Sequence, residues 1–540
     1  MAKISSITPA KVSFDDVKAW YEANMAPSVI DFDDPKPYEV YGKGHWAGIF
    51  QCTGQGAQRL FKKAKPKSVI DVAALTSIYR PGPLAAHVDK LWLEHEEVPY
   101  DWGHPLINET LKETRGLLVF QEGVMALVNK VAGFPMAETD EVRRAIMKRS
   151  ISGGEAAKKK MKELEDSIVA GAVKNGVPEQ TARKMYDTIC FMSGYGFNKS
   201  HAVAYAIDSF WCAWLLTYYE EQWLCAYLEA MSRSPDRRAK AFGEAKALGY
   251  QIVPIDVNHA ALGWSALPGK KLMPSMVSCK GVGATAVEEI MEMRPFESIE
   301  QMLYNEDGSW RPSKFNRKAM ETLIKIRAFD SLNCVGPDQV FKSYRHMYEV
   351  LMGSYTEEVT KKRKGVEGTF EVKREHSSMI KRSPKKDPHE GRKAFYELAR
   401  GLAEVYGEEW TKKEMAEMHS QVFGSSDVTM MFDRQILDKL EEKGVGSVES
   451  LEAGKTDLVW FVTVVSAAKK SKVVTAGNMK KTKNGKSYAQ IFVSGPTGKP
   501  IRVNVWGASQ LFEPYKLFCA EVKRDDFGCS TTTWKMKEIA

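Results

Sequence analysis

The sequence predicts a mainly α-helical protein that ends in a small β-barrel, and three patterns lead to this fold class. Residues 57–228 repeat apolar side chains with the 3.6-residue period of helices, interrupted by Gly and Pro. The turn Lys280-Gly-Val-Gly283 precedes another helical run, as in a helix-hairpin-helix. Residues 457–540 alternate like β-strands between Gly-rich turns. We therefore expect a helical part, a tandem helix-hairpin-helix region and a barrel of the oligonucleotide-binding type.

The composition is that of a globular protein with several domains. The 540 residues are 44% hydrophobic and 27% charged, and the net charge of +8 favours a polyanionic partner. The most apolar stretch, residues 209–219, is too short to cross a bilayer, and no apolar signal segment follows Met1, so we expect no membrane association and a cytosolic location. Eight cysteines form no C-x-x-C pair, so we expect reduced thiols and not zinc ligands.

A Gly-rich turn at residues 194–201 leads into a long apolar helix. The start of a helix offers unpaired backbone N–H groups and a positive dipole potential, so Asn198, Lys199 and His201 are candidates for binding a phosphate or a nucleotide. The alternative is an ordinary helix start with no ligand.

A basic helix lies upstream of this turn. Arg143, Arg144, Lys148 and Arg149 recur at helical spacing. Arginine matches phosphate oxygens bidentately and lysine acts as a point charge, so this face suits a triphosphate. The alternative is a basic face that contacts only solvent.

The turn formed by Lys280, Gly281, Val282 and Gly283 lets backbone amides approach a phosphate at the start of the next helix. Such contacts bind a nucleic-acid backbone independently of sequence. The alternative is a plain tight turn. A second helix pair is expected at residues 314–332, and it adds three positive charges: Arg317, Lys318 and Lys325.

Residues 356–392 are polar and basic, and we expect them to form a mobile linker that tracks a phosphate backbone. A short helical region is expected at residues 394–451. In the terminal barrel the loops carry the lysines Lys469, Lys470, Lys480, Lys481 and Lys483. The aromatic residues Tyr488, Phe492 and Trp534 could stack on bases or form the core of the barrel.

Seven motifs in one order give the chain a family resemblance. They are Gly48-Ile-Phe-Gln51, Tyr79-Arg-Pro-Gly-Pro-Leu84, Phe120-Gln-Glu122 with Val124-Met125, Arg143-Arg144-Ala145, residues 194–201, residues 254–258 and Lys280-Gly-Val-Gly283. Over residues 30–332 the chain resembles the alpha subunit of bacterial replicative DNA polymerase III, a family C DNA polymerase. Residues 457–540 resemble the oligonucleotide-binding domain of that subunit more loosely.

The resemblance implies a domain order and a set of site residues. It implies a residual palm or connection at 1–47, helical fingers at 48–260, a duplex-binding helix-hairpin-helix region at 261–335, a basic linker with a helical segment at 336–456, and the barrel at 457–540. The nucleotide-binding residues would be Arg143, Arg144, Lys148, Tyr79, Arg80, Asn198, Lys199 and His201. Lys280, Gly281, Val282 and Gly283 would bind the backbone of the primer-template duplex.

The chain departs from this family in its catalytic aspartates. Family C palms hold two metal ions with a D-x-D pair and a third aspartate, all of which would precede Gly48, where this chain has only 47 residues. The pair in Ile30-Asp-Phe-Asp-Asp34 is in register with a turn before Pro35, where a helix cap explains it. We therefore assign no catalytic or metal-binding residue to this chain.

The resemblance and this departure together predict the carboxy-terminal half of a split, phage-encoded polymerase. A separate palm-containing chain would hold the Mg²⁺, and this half would bind the dNTP and the primer-template DNA in a bacterial or phage-infected cytosol. The alternative is a non-catalytic DNA-binding replication accessory protein. A nuclease is excluded by the lack of suitable carboxylate or histidine clusters.

Two further partners are candidates. The lysines and aromatic residues of the barrel make single-stranded DNA one of them, with a core role for the aromatic residues as the alternative. Family members also recruit a sliding clamp through a glutamine and aromatic motif, and the nearest match here, Gln510-Leu-Phe512, is expected to pack among the terminal strands.

Overall fold

The computed structural model describes residues 13–148, 155–192, 196–232, 235–363, 366–423, 434–451, 454–464, 477–482, 484–495, 501–525 and 528–539. Its contacts divide the chain into two compact units, Met1–Leu224 and Cys225–Ala540. The predicted class, mainly helical with a strand-rich carboxy-terminal part, is confirmed. Across the residues described, no helix is long and apolar enough to span a bilayer.

Helices form the described part of the first unit. They are α1 Phe14–Asn24, α2 Pro35–Lys43, α3 Gln55–Ala64, α4 Val69–Ile78, α5 Pro81–Ala85, α6 Val88–Glu94, α7 Pro105–Thr110, α8 Gln121–Ala126, α9 Met136–Lys148, α10 Glu155–Lys174, α11 Glu179–Met192, α12 Lys199–Tyr218 and α13 Glu220–Met231, in which the division between the units falls. A 3₁₀ turn at Lys112–Thr114 and a π-helical turn at Leu127–Val131 join them.

The apolar helix α12 packs against α2 and α4 in the first unit. Its Ser209 hydroxyl lies 2.9 Å from the Tyr41 hydroxyl and donates to the Phe50 carbonyl at 2.9 Å. Phe210, on the same helix, is fully buried against the rings of Phe32 and Tyr38. Because the buried hydroxyls are paired with each other or with backbone, this polar contact stabilises the core instead of costing desolvation energy.

Gly48 explains the first family motif in physical terms. Its φ of +74° lies in the left-handed region, and a Cβ there would stand 2.8 Å from the Trp223 ring. That ring donates its Nε1–H to the Ala47 carbonyl at 2.7 Å. Only glycine fits this turn without displacing the indole.

The second unit begins with helices and small strands around one core. Its helices are α14 Pro235–Ala247, α15 Ala284–Met293, α16 Ile299–Leu303, α17 Arg317–Lys325, α18 Tyr344–Met352, α19 Ser377–Ile380, α20 Glu390–Tyr406, α21 Lys412–Phe423 and α22 Arg434–Glu442. The strands β1 Gln251–Ile252, β2 Ser265–Leu267 and β3 Lys271–Met273 form a three-stranded sheet in the order β1-β3-β2. Short 3₁₀ turns lie at Met276–Ser278, Asp330–Leu332, Val448–Ser450 and Thr533–Lys535.

The predicted linker is wrong for the described part of residues 356–392. Strands β4 Ser354–Arg363 and β5 Val366–Glu375 pair antiparallel over ten residue pairs, and α19 and the start of α20 follow. Phe341 before this segment and Phe395 after it are fully buried in the same core as the helix-hairpin-helix helices α15 and α17. Low apolar content misled the prediction, because a two-stranded ribbon needs few core residues of its own.

The terminal strands form a curled sheet. They are β6 Gly446–Ser447, β7 Thr456–Thr463, β8 Gly477–Lys481, β9 Ser487–Ser494, β10 Ile501–Trp506, β11 Leu517–Asp525, β12 Gly528–Thr532 and β13 Met536–Glu538. The pairing runs β7-β9-β10-β12-β11 and returns from β11 to β7, but β7 and β9 share only two residue pairs. The sheet is therefore an incompletely closed barrel.

Alternation along β7 separates the two faces of this sheet. Val459 and Phe461 point into the barrel, whereas Trp460 and Val462 pack outside it with Leu437 of α22. This is the two-residue period that predicted the strands.

Candidate nucleotide and DNA interface

The start of α12 is a capped helix terminus. The Asn198 side chain accepts a hydrogen bond from the His201 backbone N–H at 2.8 Å, and Lys199 is the first helical residue. The cap fixes the direction in which the following amides point. The structure therefore holds Asn198, Lys199 and His201 in one turn, as predicted from their spacing. Gly194 and Tyr195 of this motif lie outside the described residues.

Two of the family motifs meet at this turn. The Gln121 N–H donates to the Phe197 carbonyl at 2.9 Å, and its side chain donates to the Gly196 carbonyl at 2.8 Å. The Glu122 carboxylate accepts from the Lys199 backbone N–H at 2.8 Å and from the Asn198 side chain at 3.0 Å. The Glu122 carboxylate therefore already accepts the hydrogen bond of one backbone N–H at the predicted phosphate site.

Aromatic and cationic side chains surround the same turn. The Arg80 guanidinium lies 3.7 Å from the centre of the Phe197 ring. The His201 ring lies 4.2 Å from the Tyr205 ring and 5.4 Å from the Phe197 ring. Tyr79, which precedes Arg80, is 38% exposed, so it keeps an accessible surface. Stacking of this kind orients a guanidinium and leaves its N–H groups available for an anion.

Lys199 already has an anionic partner. Its Nζ lies 2.6 Å and 2.8 Å from the two carboxylate oxygens of Glu113. Both side chains are partly exposed, so the pair is weak and open to competition from a more highly charged anion. Two carboxylates of the protein, Glu113 and Glu122, therefore contact Lys199 at the predicted phosphate site.

Arg143 and Arg144 lie on α9, which packs against α8, the helix that carries Glu122. Both contact Asp140, at 2.7 Å and 2.8 Å, and these contacts, led by the hydrogen bond from Arg143, lower the pKa of Asp140. The Arg143 side chain is 13% exposed and the Arg144 side chain 69% exposed. Arg144 is therefore the more accessible of the two. Lys148 ends α9, and its side chain lies outside the described part of the structure.

The two glycines of the helix-hairpin-helix turn differ in backbone conformation and in surroundings. Gly281 has φ +103°, and a Cβ there would meet the Thr322 hydroxyl at 3.1 Å. Gly283 caps α15 at φ −89° with no heavy atom within 4 Å of such a Cβ. Lys280 is exposed, whereas the Val282 side chain is buried in the core. Val282 is in the turn but offers no side chain to a ligand.

The second hairpin is held by one carboxylate. The Glu289 side chain accepts from the Ser313 N–H and Lys314 N–H at 2.8 Å each, from the Ser313 hydroxyl at 2.5 Å and from the Phe315 N–H. Partial burial acts to raise the pKa of Glu289, but these hydrogen bonds outweigh it, and the pKa is lowered. The loop before α17 is therefore preorganised.

Part of the predicted positive charge in this region is neutralised inside the unit. Lys318 and Lys325 both contact Glu321, at 3.1 Å and 2.6 Å, and Arg317 contacts Glu375 at 2.9 Å. These three residues support helix α17 and its surroundings, and they offer less free charge than the sequence indicated.

The outer face of the strand module carries aromatic residues. The rings of Tyr488 on β9 and Trp506 on β10 lie 4.6 Å apart, and Trp506 is 38% exposed. The side-chain amide of Gln490 donates to Asn504 at 3.0 Å in the next register position. Trp534 is 78% exposed, and Phe512 of the Gln510-Leu-Phe512 segment packs against Phe518 at 5.6 Å. Lys469, Lys470 and Lys483 lie outside the described residues.

Comparison with known families gives this arrangement a context. A family model described as "Bacterial DNA polymerase III alpha subunit finger domain" matches residues 8–176. This part of the chain is similar to the finger domain of that subunit. A second model, "Helix-hairpin-helix motif", matches residues 249–335.

Individual relatives agree with these matches. DNA polymerase III subunit alpha of Deinococcus radiodurans is 33% identical over 309 residues, which are 56% of this chain and 22% of the relative. The subunits of Campylobacter jejuni and Aquifex aeolicus are 34% and 30% identical, over 58% and 61% of this chain and 26% and 28% of the relatives. The chain spans about a quarter of the length of these relatives.

Sequence reasoning missed two residues that contact the start of α12. Glu122 belongs to the motif Phe120-Gln-Glu122, but nothing in its spacing indicates that its carboxylate reaches this turn. Glu113 has no sequence signal, because its contact with Lys199 joins residues 86 positions apart. Both were visible only once the chain was folded.

The acidic turn before α2 is a helix cap, as predicted. The Asp34 side chain accepts from the Lys36 N–H at 3.1 Å and from the Tyr218 hydroxyl at 2.5 Å. Within the described ranges, no group of three or more His, Cys, Asp or Glu side chains could hold a metal ion.

Proposed function

We propose that this chain supplies the fingers and the duplex-binding part of a replicative DNA-directed DNA polymerase, and that a separate palm-containing chain holds the Mg²⁺ ions. Two observations carry this proposal: residues 8–176 match a DNA polymerase III alpha finger model, and Arg80, Lys199 and His201 gather around one capped helix start. Metal ions on a palm would stabilise the charge that develops at the transferred phosphate.

The residues of this chain would bind and orient the nucleotide. Arg144 is exposed on α9, and its guanidinium suits the bidentate binding of phosphate oxygens. Lys199 would exchange Glu113 for the triphosphate, since the ion pair between them is partly exposed. This placement contributes by positioning and by electrostatic stabilisation, which are the main contributions a protein makes to phosphoryl transfer.

The turn at residues 280–283 would bind the duplex through its backbone amides and Lys280. A Cβ at Gly283, the residue before α15, would meet no heavy atom within 4 Å, so the chain is open at this residue. Amide and lysine contacts to phosphate carry no sequence information, and a copying enzyme must accept every sequence. We further propose that the exposed aromatic face of the strand module stacks on bases of single-stranded DNA.

The test uses this chain reconstituted with a palm-containing chain encoded beside it. Arg144→Ala should lower primer extension by about 10- to 150-fold, which corresponds to the loss of one charge-assisted contact of about 1.5–3 kcal/mol. Duplex affinity should stay unchanged. Arg183→Ala is the matched control, because Arg183 also pairs with a carboxylate four residues earlier on an exposed helix face.

Two outcomes would contradict the proposal. Equal loss of duplex affinity and of extension in Arg144→Ala, with no palm chain that restores activity, would favour a DNA-binding accessory protein. Full primer extension by this chain alone would show that the catalytic carboxylates do not lie on a partner.

A further inference from the structure

Helix α3 and the residue that ends it carry four basic side chains that the proposed function does not use. They are Arg59, Lys62, Lys63 and Lys65; all four are exposed, and together they form the α3 basic face. Within the part of the chain that the structure describes, none of the four forms an ion pair. Their positive charge is therefore available to an anionic partner.

The α3 basic face differs in charge pattern from other exposed helices of the first unit. On α9 and α11 a carboxylate lies one helical turn from the cation, as in the pairs of Arg144 with Asp140 and of Arg183 with Glu179, both at 2.8 Å. Residues 40–70 contain no Asp or Glu, so α3 has no such partner nearby in sequence. Exposed helices that contact only solvent usually mix both signs of charge, and a surface of one sign indicates a partner of the other sign.

The opposite face of α3 fixes these cations in place. Leu60, Phe61 and Ala64 are buried, and the Phe61 ring lies 5.5 Å from the buried Tyr41 ring of α2. The cations are therefore presented by a packed helix and not by a loop, so their spacing is set before a ligand binds.

The first turn of α3 lies beside the candidate nucleotide site. A Cβ at Gly56 would overlap the Tyr79 hydroxyl, so this turn packs directly against the Tyr79 side chain. Arg80, the next residue, lies on the Phe197 ring at the start of α12. Residues 59–63 follow Gly56 by three to seven positions, which places them about 5–11 Å farther along the helix axis. A strand that leaves the nucleotide site along α3 would meet them.

An exposed aromatic ring precedes α3. Phe50 is 37% exposed, and its ring lies 5.3 Å from the Tyr205 ring, which in turn lies 4.2 Å from the His201 ring. The Gln58 side chain of α3 donates to the Cys52 carbonyl at 2.8 Å and so holds the segment after Phe50 against the helix. Bases in a duplex are already stacked on each other, whereas a single strand can place a base on an aromatic ring. Cations together with an exposed ring are typical of surfaces that bind single strands.

We propose that α3 and Phe50 bind the single-stranded template next to the nucleotide site. Arg59, Lys62 and Lys63 would contact its phosphates, and Phe50 would stack on a base. Neither contact carries sequence information, as the binding of a template requires. The inference rests on the proposed function, which puts the nucleotide at the start of α12. It adds a single-strand contact in the first unit to the one proposed for the strand module of the second unit.

The first experiment measures the affinity of the full chain for three forms of one duplex: blunt, with a 5′ template overhang and with a 3′ overhang. The triple variant Arg59→Ala, Lys62→Ala, Lys63→Ala should keep its native Tm, because the three side chains are exposed and alanine favours helix. It should bind the 5′-overhang form about tenfold more weakly, with a log–log salt slope lower by about 2, since each single-strand phosphate contact contributes about 0.7. Its affinity for the other two forms should stay native.

The matched control removes three exposed lysines elsewhere in the same unit, Lys130→Ala, Lys162→Ala and Lys174→Ala. It should bind all three forms like the native chain. Equal losses in the control and in the α3 variant would reduce the effect to net charge and overturn the proposal.

The second experiment tests the aromatic ring. Phe50→Ala should weaken binding of the 5′-overhang form by about 5- to 150-fold, the range for one base stacked on an aromatic side chain, while Phe50→Tyr keeps a ring and should bind like the native chain. The control is Phe14→Ala, which removes another exposed phenylalanine of the first unit and should have no effect. Loss of affinity for the blunt duplex as well would show that Phe50 acts on the fold and not on a base.

The outcomes separate this inference from the proposed function. If the native chain binds none of the three forms, the proposed binding of primer-template DNA fails. If it binds them and the α3 variant either matches it on every form or loses affinity equally on every form, α3 is not a template site.

Discussion

Gly283→Ala separates duplex binding from folding in the helix-hairpin-helix turn. Gly283 has an extended backbone at φ −89°, and a Cβ there would meet no heavy atom within 4 Å. If the turn binds a phosphate as proposed, the methyl group would stand beside the amides that the phosphate approaches. Gly281→Ala is the matched comparison, since its φ of +103° and the Thr322 hydroxyl at 3.1 Å oppose any side chain.

The structure sets different magnitudes for the two substitutions. Gly283→Ala exchanges one N-cap residue for a poorer one, which costs about 0.5–1 kcal/mol of folding free energy and lowers Tm by no more than about 4 °C. Blocking one amide-to-phosphate contact costs about 1.5–3 kcal/mol of binding, or about 10- to 150-fold in Kd. Gly281→Ala adds left-handed strain of about 1–2 kcal/mol, so its Tm should fall further.

The assay pairs thermal unfolding with fluorescence anisotropy on a labelled duplex at one fixed salt concentration. We expect Gly283→Ala to lose affinity with a nearly native Tm, and Gly281→Ala to lose both. Native affinity in Gly283→Ala would refute the reasoning, because the turn would then be a structural element that no phosphate approaches.

Three further outcomes follow from the contacts. Glu113→Gln should lower the KM for dNTP about 2- to 5-fold, the range set by a partly exposed ion pair of about 0.5–1 kcal/mol. The control Glu109→Gln, beside the exposed Lys112, should leave the KM unchanged. A raised KM in Glu113→Gln would mean that Glu113 positions Lys199 and does not compete with the substrate. Glu289→Gln should lower Tm at pH 7. Because the pKa of Glu289 in the folded chain lies below its ordinary value of 4.5, the difference in Tm between the variant and the native chain should shrink as the pH falls below that value. A difference in Tm that stays constant with pH would contradict this. Trp506→Ala should weaken binding of single-stranded DNA by about 1–3 kcal/mol with little change in duplex affinity, and equal loss of both would argue against stacking.

Local sequence patterns were sufficient to predict features that depend only on neighbouring residues within one helix or strand. The period of apolar residues predicted the helices of the first unit, and alternation predicted β7, β9, β10 and β11. The asparagine at 198 and the aspartate at 34 cap the helices that follow them, because capping depends on atoms two or three residues away. The family resemblance added the order of the parts.

Contacts between distant residues were decided only by tertiary structure. The ion pair of Glu113 with Lys199 and the contact of Glu122 with the start of α12 join positions that share no periodicity, so no local rule indicates them. Strands β4 and β5 were predicted to be a linker for the same reason. Their backbone hydrogen bonds are made between the two strands, and Glu375 at the end of β5 pairs with Arg317 of helix α17. The sequence by itself determined which elements form and where charge lies; the fold decided which charges are already paired and which remain for a ligand, because Coulomb and hydrogen-bond energies depend on distance in space and not on distance along the chain.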